Sequence, residues 1–203
     1  MTPHSQGLVD IGELVLQFAK VNRVTLHEDG KRLESDTDHT VMLSVSALAL
    51  GSKLYKDTLN LGLVAQFAIV HDLVEAYAMD TDSFGITDAA RKAKEEREHQ
   101  AYVRIEEEFS GVYPWLPEMI QKYESLDTVE ARFVKTVDKV MSKITHILNN
   151  GQYFKNKECS EDSMWADYTT MVNKVSSTYG SEFPEVISIM KELIEETRKK
   201  TYT

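Results

Sequence analysis

Phe67-Ala68-Ile69-Val70-His71-Asp72-Leu73-Val74-Glu75 sets three ionisable side chains into a stretch that otherwise asks to be buried. Around it, Leu61, Leu63, Val64, Phe67, Ile69, Val70, Leu73 and Val74 put apolar surface almost all the way round a helix that Asn60 can cap. Such a helix sits inside a protein. A carboxylate or imidazole there loses its hydration, so it must be paired, hydrogen-bonded or bound to a metal. On one helix from about Asn60 to Met79, His71 and Glu75 are four apart and Asp72 and Glu75 three apart, so the three reach roughly the same side.

The rest of the chain reads as helices that could enclose this one. Leu8, Ile11, Val15, Phe18 and Ala19 fall on one face of a helix spanning 8–21, after a polar start at Thr2–Gln6. Residues 22–34 turn polar, with Gly30 as a break, and read as a loop or short hairpin. Asp36 or Thr37 can cap a helix that carries Val41, Leu43, Val45, Leu48, Ala49 and Leu50 and fades near Tyr55. After the central helix, residues 80–85 form a turn-rich loop, and Thr87 caps a long charged helix to about Phe109. The crowded charges at Arg91–Glu98 read as a solvated face. A short helix at 117–124, one from Thr128 to Asn149 stopped by Asn150-Gly151, and two amphipathic helices at 161–179 and 184–199 complete the chain. No segment alternates as a strand would. The fold class expected is all-α, and the even composition points to a single domain over the 203 residues.

Composition narrows the function. A formal charge of −10 argues against nucleic acid or an anionic membrane surface as the main partner. A small anionic substrate stays open if a metal and a few basic groups reverse the field locally. The single cysteine, Cys159, cannot form an internal disulfide and reads as incidental in a reducing compartment. With no signal-like start and no apolar stretch both long and charge-free enough to span a bilayer, the expected location is cytoplasmic.

Further ligand-type residues lie far away in sequence. Asp138 shares one side of its helix with Val134, Val137, Met141 and Ile144, a second carboxylate aimed at a core. His39 opens the helix that continues Val41-Met42-Leu43. His39, His71, Asp72 and Asp138 therefore make a set of two imidazoles and two carboxylates on three helices. That donor set suits Mn²⁺, Co²⁺, Mg²⁺, Fe²⁺ or Zn²⁺ and not a thiolate-dominated structural site. Four protein ligands on an octahedral ion leave positions open for water and substrate, as hydrolysis requires. His4, His27, His99 and His146 have no matching partners and read as structural or surface residues; Trp115 reads as a packing anchor.

The pattern His39, His71-Asp72, Asp138 resembles the H…HD…D signature of the HD-domain metal-dependent phosphohydrolases. Arg32-Leu33-Glu34-Ser35, Asp38-His39-Thr40, the run from His71 to Asp80-Thr81, and Glu130-Ala131-Arg132-Phe133-Val134-Lys135 are similar to the YfbR-like 5′-deoxynucleotidases, relatives of the DatZ-type dATP triphosphohydrolases. The likeness covers about 21–150. It implies that His39, His71, Asp72 and Asp138 hold one divalent cation. It also implies that Glu75 and Asp80 assist the attacking water or protonate the leaving oxygen, and that Arg23 grips the substrate phosphate. An arginine fork suits phosphate because it donates two hydrogen bonds at once. Lys135 and Lys139 flank Asp138 and are further candidates to neutralise phosphate, with solvated lysines as the bland alternative.

The resemblance implies release of phosphate from a deoxynucleoside 5′-monophosphate. Cleavage of a deoxynucleoside triphosphate such as dATP at the same site is one alternative, and a catalytically silent nucleotide- or metal-sensing module is another. A homodimer is expected from the family's habit. The chain carries Val24 where the family often has a tryptophan. It carries Met79 where the family has a glycine, so the turn that aims Asp80 is open to change.

Overall fold

The computed structural model describes residues 1–82 and 84–203; Ser83, in the turn-rich stretch expected at 80–85, lies outside them. Among the described residues the chain forms ten α-helices and one two-stranded sheet, which agrees with the all-α class. It divides into two compact units, Met1–Arg23 with Ser35–Ala131, and Val24–Glu34 with Arg132–Thr203.

In the first unit, α1 (Pro3–Phe18) begins earlier than its apolar spacing suggests, because the Thr2 hydroxyl accepts the Ser5 N–H at 3.2 Å and Pro3 fits the first turn. Gly7, Leu14 and Phe18 form its buried face; Leu8 and Val15, expected inward, are exposed. The cap of α2 (Asp36–Leu54) is Ser35 and neither Asp36 nor Thr37. Its hydroxyl accepts the Asp38 N–H while the Asp38 carboxylate accepts the Ser35 N–H, a reciprocal box that turns Asp36 and His39 into the interior.

The central segment departs most from expectation. Asn60 caps α3 (Leu61–Val70) as expected, and its own N–H is held by Glu130 Oε1 at 2.9 Å. The helix then breaks at His71–Val74 and resumes as the single turn α4 (Glu75–Ala78). Across the break the N–H groups of Leu73, Glu75 and Ala76 bond to carbonyls three residues back, the tighter 3₁₀ winding. Residues 61–78 have a mean hydropathy of 1.3, enough by length and composition to cross a membrane, which the sequence reading did not anticipate. The break, and the 56% of the segment buried inside the protein, mark it as a core element.

α5 (Asp88–Phe109, capped by Thr87) and α6 (Trp115–Ser125) complete this unit. α3 packs on α2 and α6, α4 on α1 and α5, and α5 on α6, around Phe67, Ile105, Phe109, Ile120 and Tyr123.

The second unit holds most of the hairpin formed by β1 (Asn22–Leu26) and β2 (Leu33–Ser35), which turns at Gly30 with φ +67°. α7 (Val129–Leu148) enters this unit after Ala131 and ends at Asn150 and Gly151, both at positive φ. A Cβ at Gly151 would collide with Thr201, so this glycine answers a close approach as well as a helix stop. The short helix α8 (Gln152–Asn156) has no counterpart in the sequence reading; α9 (Glu161–Tyr179) and α10 (Pro184–Tyr202) follow it closely and pack on each other.

Candidate metal centre

His39 stands one turn into α2, and His71 and Asp72 stand at the break after α3. The Nδ1 of His71 lies 2.9 Å from the Ala68 carbonyl oxygen. A carbonyl only accepts, so Nδ1 carries the proton and Nε2 turns a lone pair outward. That Nε2 lies 3.0 Å from Asp72 Oδ2, and His39 Nε2 lies 3.9 Å from the same oxygen. One donor atom from each of the three residues falls within 4.8 Å of the others. Bonds of about 2.0–2.2 Å to a shared ion leave neighbouring donors about 3–4 Å apart, the range of both distances to Asp72 Oδ2, so the three could hold a divalent cation. An imidazole lone pair and a carboxylate oxygen at 3.0 Å are both acceptors, and a proton or a cation is what reconciles them. Tyr123 meets the His71 ring edge-on, with ring centroids 6.2 Å apart.

The tightened winding has a second effect. At three residues per turn, side chains at i and i+3 eclipse, so Asp72 and Glu75 stand over one another. Arg23 Nη1 reaches both, at 3.1 Å from Asp72 Oδ2 and 4.0 Å from Glu75 Oε2, and lies 3.2 Å from Asp36 Oδ1. The arginine expected to grip phosphate therefore rests among carboxylates here. Burial, aided by the charges of Asp72 and Asp80, pushes Glu75 up to about 9 against the pull of Lys94. Burial likewise pushes Asp36 up to about 7, against Arg23 and with Asp72 and Asp80. Lys94 Nζ donates to Glu75 Oε1 at 3.1 Å. Burial disfavours that ammonium, but Glu75 and Glu98 outweigh it and hold Lys94 above its usual range.

Asp80 is half-buried and follows Met79, whose φ of 64° and ψ of 149° fall in a region that glycine normally occupies. The methionine thus keeps the backbone a glycine would take, under strain. Asp138, in the second unit, accepts from Lys139 Nζ at 2.7 Å; Lys139 is exposed by 42% and Lys135 half-buried. Trp115, expected as a packing anchor, is exposed by 45% and donates its indole N–H to Gln66 Oε1 at 2.9 Å.

The structure brings His39, His71, Asp72, Arg23 and Glu75 together. Asp36 and Lys94 join them without having been singled out. Asp36 carried a usable signal, an acid three residues before His39 on the same helix face. Lys94, embedded in a charge run, carried none.

A sequence model of the HD domain matches residues 16–179, and the chain belongs to the HD-domain family. The sequence resemblance to HD-domain proteins stands with it. The 5′-deoxynucleotidase HDDC2 of Homo sapiens is 29% identical over 144 residues, which are 66% of this chain and 64% of that protein, so the match spans just under two thirds of the human relative. The 5′-deoxynucleotidase HDDC2 of Mus musculus is 27% identical over 196 residues, 92% of this chain and 86% of that protein. The crystal structure of a "predicted metal-dependent phosphohydrolase" from Magnetospirillum magnetotacticum MS-1 has the same fold, with a TM-score of 0.74 over 98% of this chain and 99% of the other at 21% identity.

Proposed function

We propose that the protein releases inorganic phosphate from deoxynucleoside 5′-monophosphates, using a divalent ion held by His39, His71 and Asp72. The convergence of these three donor atoms within 4.8 Å carries the reading. The relatives named 5′-deoxynucleotidase supply the substrate class. From the sequence resemblance we also assign Asp138 as a fourth ligand. The mixed imidazole and carboxylate set suits Mn²⁺, Co²⁺, Fe²⁺, Zn²⁺ or Mg²⁺.

When bound, such an ion supplies Lewis acidity toward a phosphoryl oxygen and lowers the pKa of a water molecule beside it. Glu75 is the group placed to take or give the proton, since its buried carboxyl stands one 3₁₀ turn from Asp72 with Oε2 turned toward Arg23. Arg23 exchanges its carboxylate partners for the phosphate oxygens, a fork-to-oxyanion contact that is strong because both sides are charged. Asp80 is the second acid, and Lys135 and Lys139 are further phosphate-neutralising candidates. A chain with a net charge of −10 suits a small nucleotide over a nucleic-acid strand.

Incubation with Mn²⁺ or Co²⁺ and a panel containing dAMP and dATP tests the reading. Phosphate from dAMP supports it. Triphosphate from dATP, with dAMP untouched, replaces it with a triphosphohydrolase, and pyrophosphate from dATP, with dAMP left as product, replaces it with a pyrophosphohydrolase. No turnover of any nucleotide leaves a silent sensor.

A further inference from the structure

We propose that α5 is the positioning element of this site: Lys94 fixes the Glu75 carboxylate and Arg97 fixes the loop that carries Asp80. The proposal rests on the reading of Glu75 and Asp80 as the acids of the reaction.

Most of α5's charges face water, as a charge run does. Lys94 and Arg97, three apart and so on one side of the helix, instead reach back to the α4 segment. Lys94 Nζ donates to Glu75 Oε1 at 3.1 Å and is itself kept in place by Glu98 Oε1 at 3.3 Å, one turn further along α5. The Glu75 side chain is only 2% exposed, so water does not stand in for the lysine. With Oε1 tied to Lys94, Oε2 is the oxygen turned toward Arg23, at 4.0 Å. An exposed pair would do little, but a buried carboxyl that loses its hydrogen-bond donor loses what fixes its orientation.

Arg97 works on the backbone. Its Nε donates to the Ala78 carbonyl at 3.3 Å and its Nη2 to the Thr81 hydroxyl at 2.7 Å, so the two anchors bracket Met79 and Asp80. Between them sits the positive φ of Met79. Such a conformation persists only where its surroundings over-determine it, and the Arg97 fork, spanning the strained residue, supplies that. Tyr77 gives α4 a third hold on the same helix: its hydroxyl donates to Glu108 Oε2 at 2.7 Å and its ring lies 3.7 Å from the Arg104 guanidinium carbon. Four positions in or just after α4 (75, 77, 78 and 81) are thereby fixed from α5 and not from the ligand-bearing helices.

The experiment uses the full chain with Mn²⁺ and dAMP, comparing wild type with K94M, K94R and R97A. K94M is expected to lower kcat by about 30- to 100-fold, the scale of a slightly misplaced catalytic group, with KM within about twofold and Mn²⁺ stoichiometry unchanged. K94R should recover most of the loss. R97A should lower kcat by roughly 10-fold and speed amide exchange at 78–82 selectively. Wild-type kcat in K94M, or a loss that K94R fails to restore, overturns the Lys94 role; unchanged exchange in R97A overturns the Arg97 role. Should the wild type turn over no nucleotide, the nucleotidase reading falls by itself. A K94M/E75Q thermal-stability cycle then decides the latch, with non-additive shifts supporting it and additive shifts overturning it.

Discussion

Two regions of this molecule bury polar groups, and they use them differently. Around the break after α3, the carboxylates of Asp36, Asp72 and Glu75 face Arg23 and Lys94, and two histidine nitrogens stand within reach of the same Asp72 oxygen. At the C-terminal end of α7 in the second unit, the buried polar side chains serve packing. Asn149 donates to the Leu26 carbonyl at 2.7 Å and accepts the Gln152 N–H at 3.1 Å, closing a helix end. His146 lies among Tyr153 and Phe154 with ring centroids 5.2 and 4.7 Å away, and Thr145 returns its hydroxyl to the Met141 carbonyl at 3.2 Å. Burial of a polar group is common to both. What marks a site is acceptors turned toward one another with too little positive charge between them, because that arrangement calls for a cation from outside.

The sharpest way to break the contrast is Asp72→Ala, which removes the oxygen shared by both histidines. Bound metal and turnover should collapse together, at least as far as the 10–100-fold that loss of a mere supporting group costs a metal site. Glu75→Gln should keep the metal and lose about 10²–10⁴-fold in kcat. Near-wild-type turnover in that variant would remove the carboxylate from the chemistry.

The two regions should also answer pH with opposite signs. In the metal-free protein Glu75 holds its proton to about 9 and Asp36 to about 7, above the ordinary carboxyl range. The folded chain then binds more protons than the unfolded one, so this stability is complete at low pH and is lost as pH rises toward 9, by at most about 1.4 kcal/mol per pH unit for each group. Lys143 does the reverse. Its side chain is buried, and burial first, with Lys139 second, lowers it to about 7 from 10.5. Its penalty is present below pH 7 and lifts as pH rises toward 10.5. Thermal melts in chelator should fall from pH 5 to 7, less steeply in E75Q, while Lys143→Met should be neutral to stabilising at pH 6, by up to roughly 2 kcal/mol, without touching turnover. The smallest expected effect is at Met79. Glycine there relieves the positive φ but frees the unfolded chain, for a net gain of about 1 kcal/mol by denaturant titration.

Much of this was legible in the sequence. His71, Asp72 and Glu75 stood out because an apolar helix has no use for them, and Thr87, Asn60 and Thr128 announced their helices by capping chemistry. The break at His71–Val74 was not legible, since no glycine or proline marks it and the apolar pattern runs straight through. The α1 face was misread because Leu8 and Val15 keep helical spacing one position away from Gly7 and Leu14, and only packing chooses between the two stripes. Lys94 and Arg97 were hidden for a related reason. In a run of charges, the few that reach inward differ from their neighbours only in what lies opposite them, and that is a tertiary fact.

One titration bears most directly on the centre itself: Mn²⁺ added to chelator-stripped protein, followed by calorimetry, in wild type and in His71→Ala. A shared ion at His39, His71 and Asp72 requires about one equivalent bound to the wild type, a raised melting temperature with the metal, and weak or no binding in the variant while its fold is kept. Wild-type affinity in a folded His71→Ala protein would contradict it.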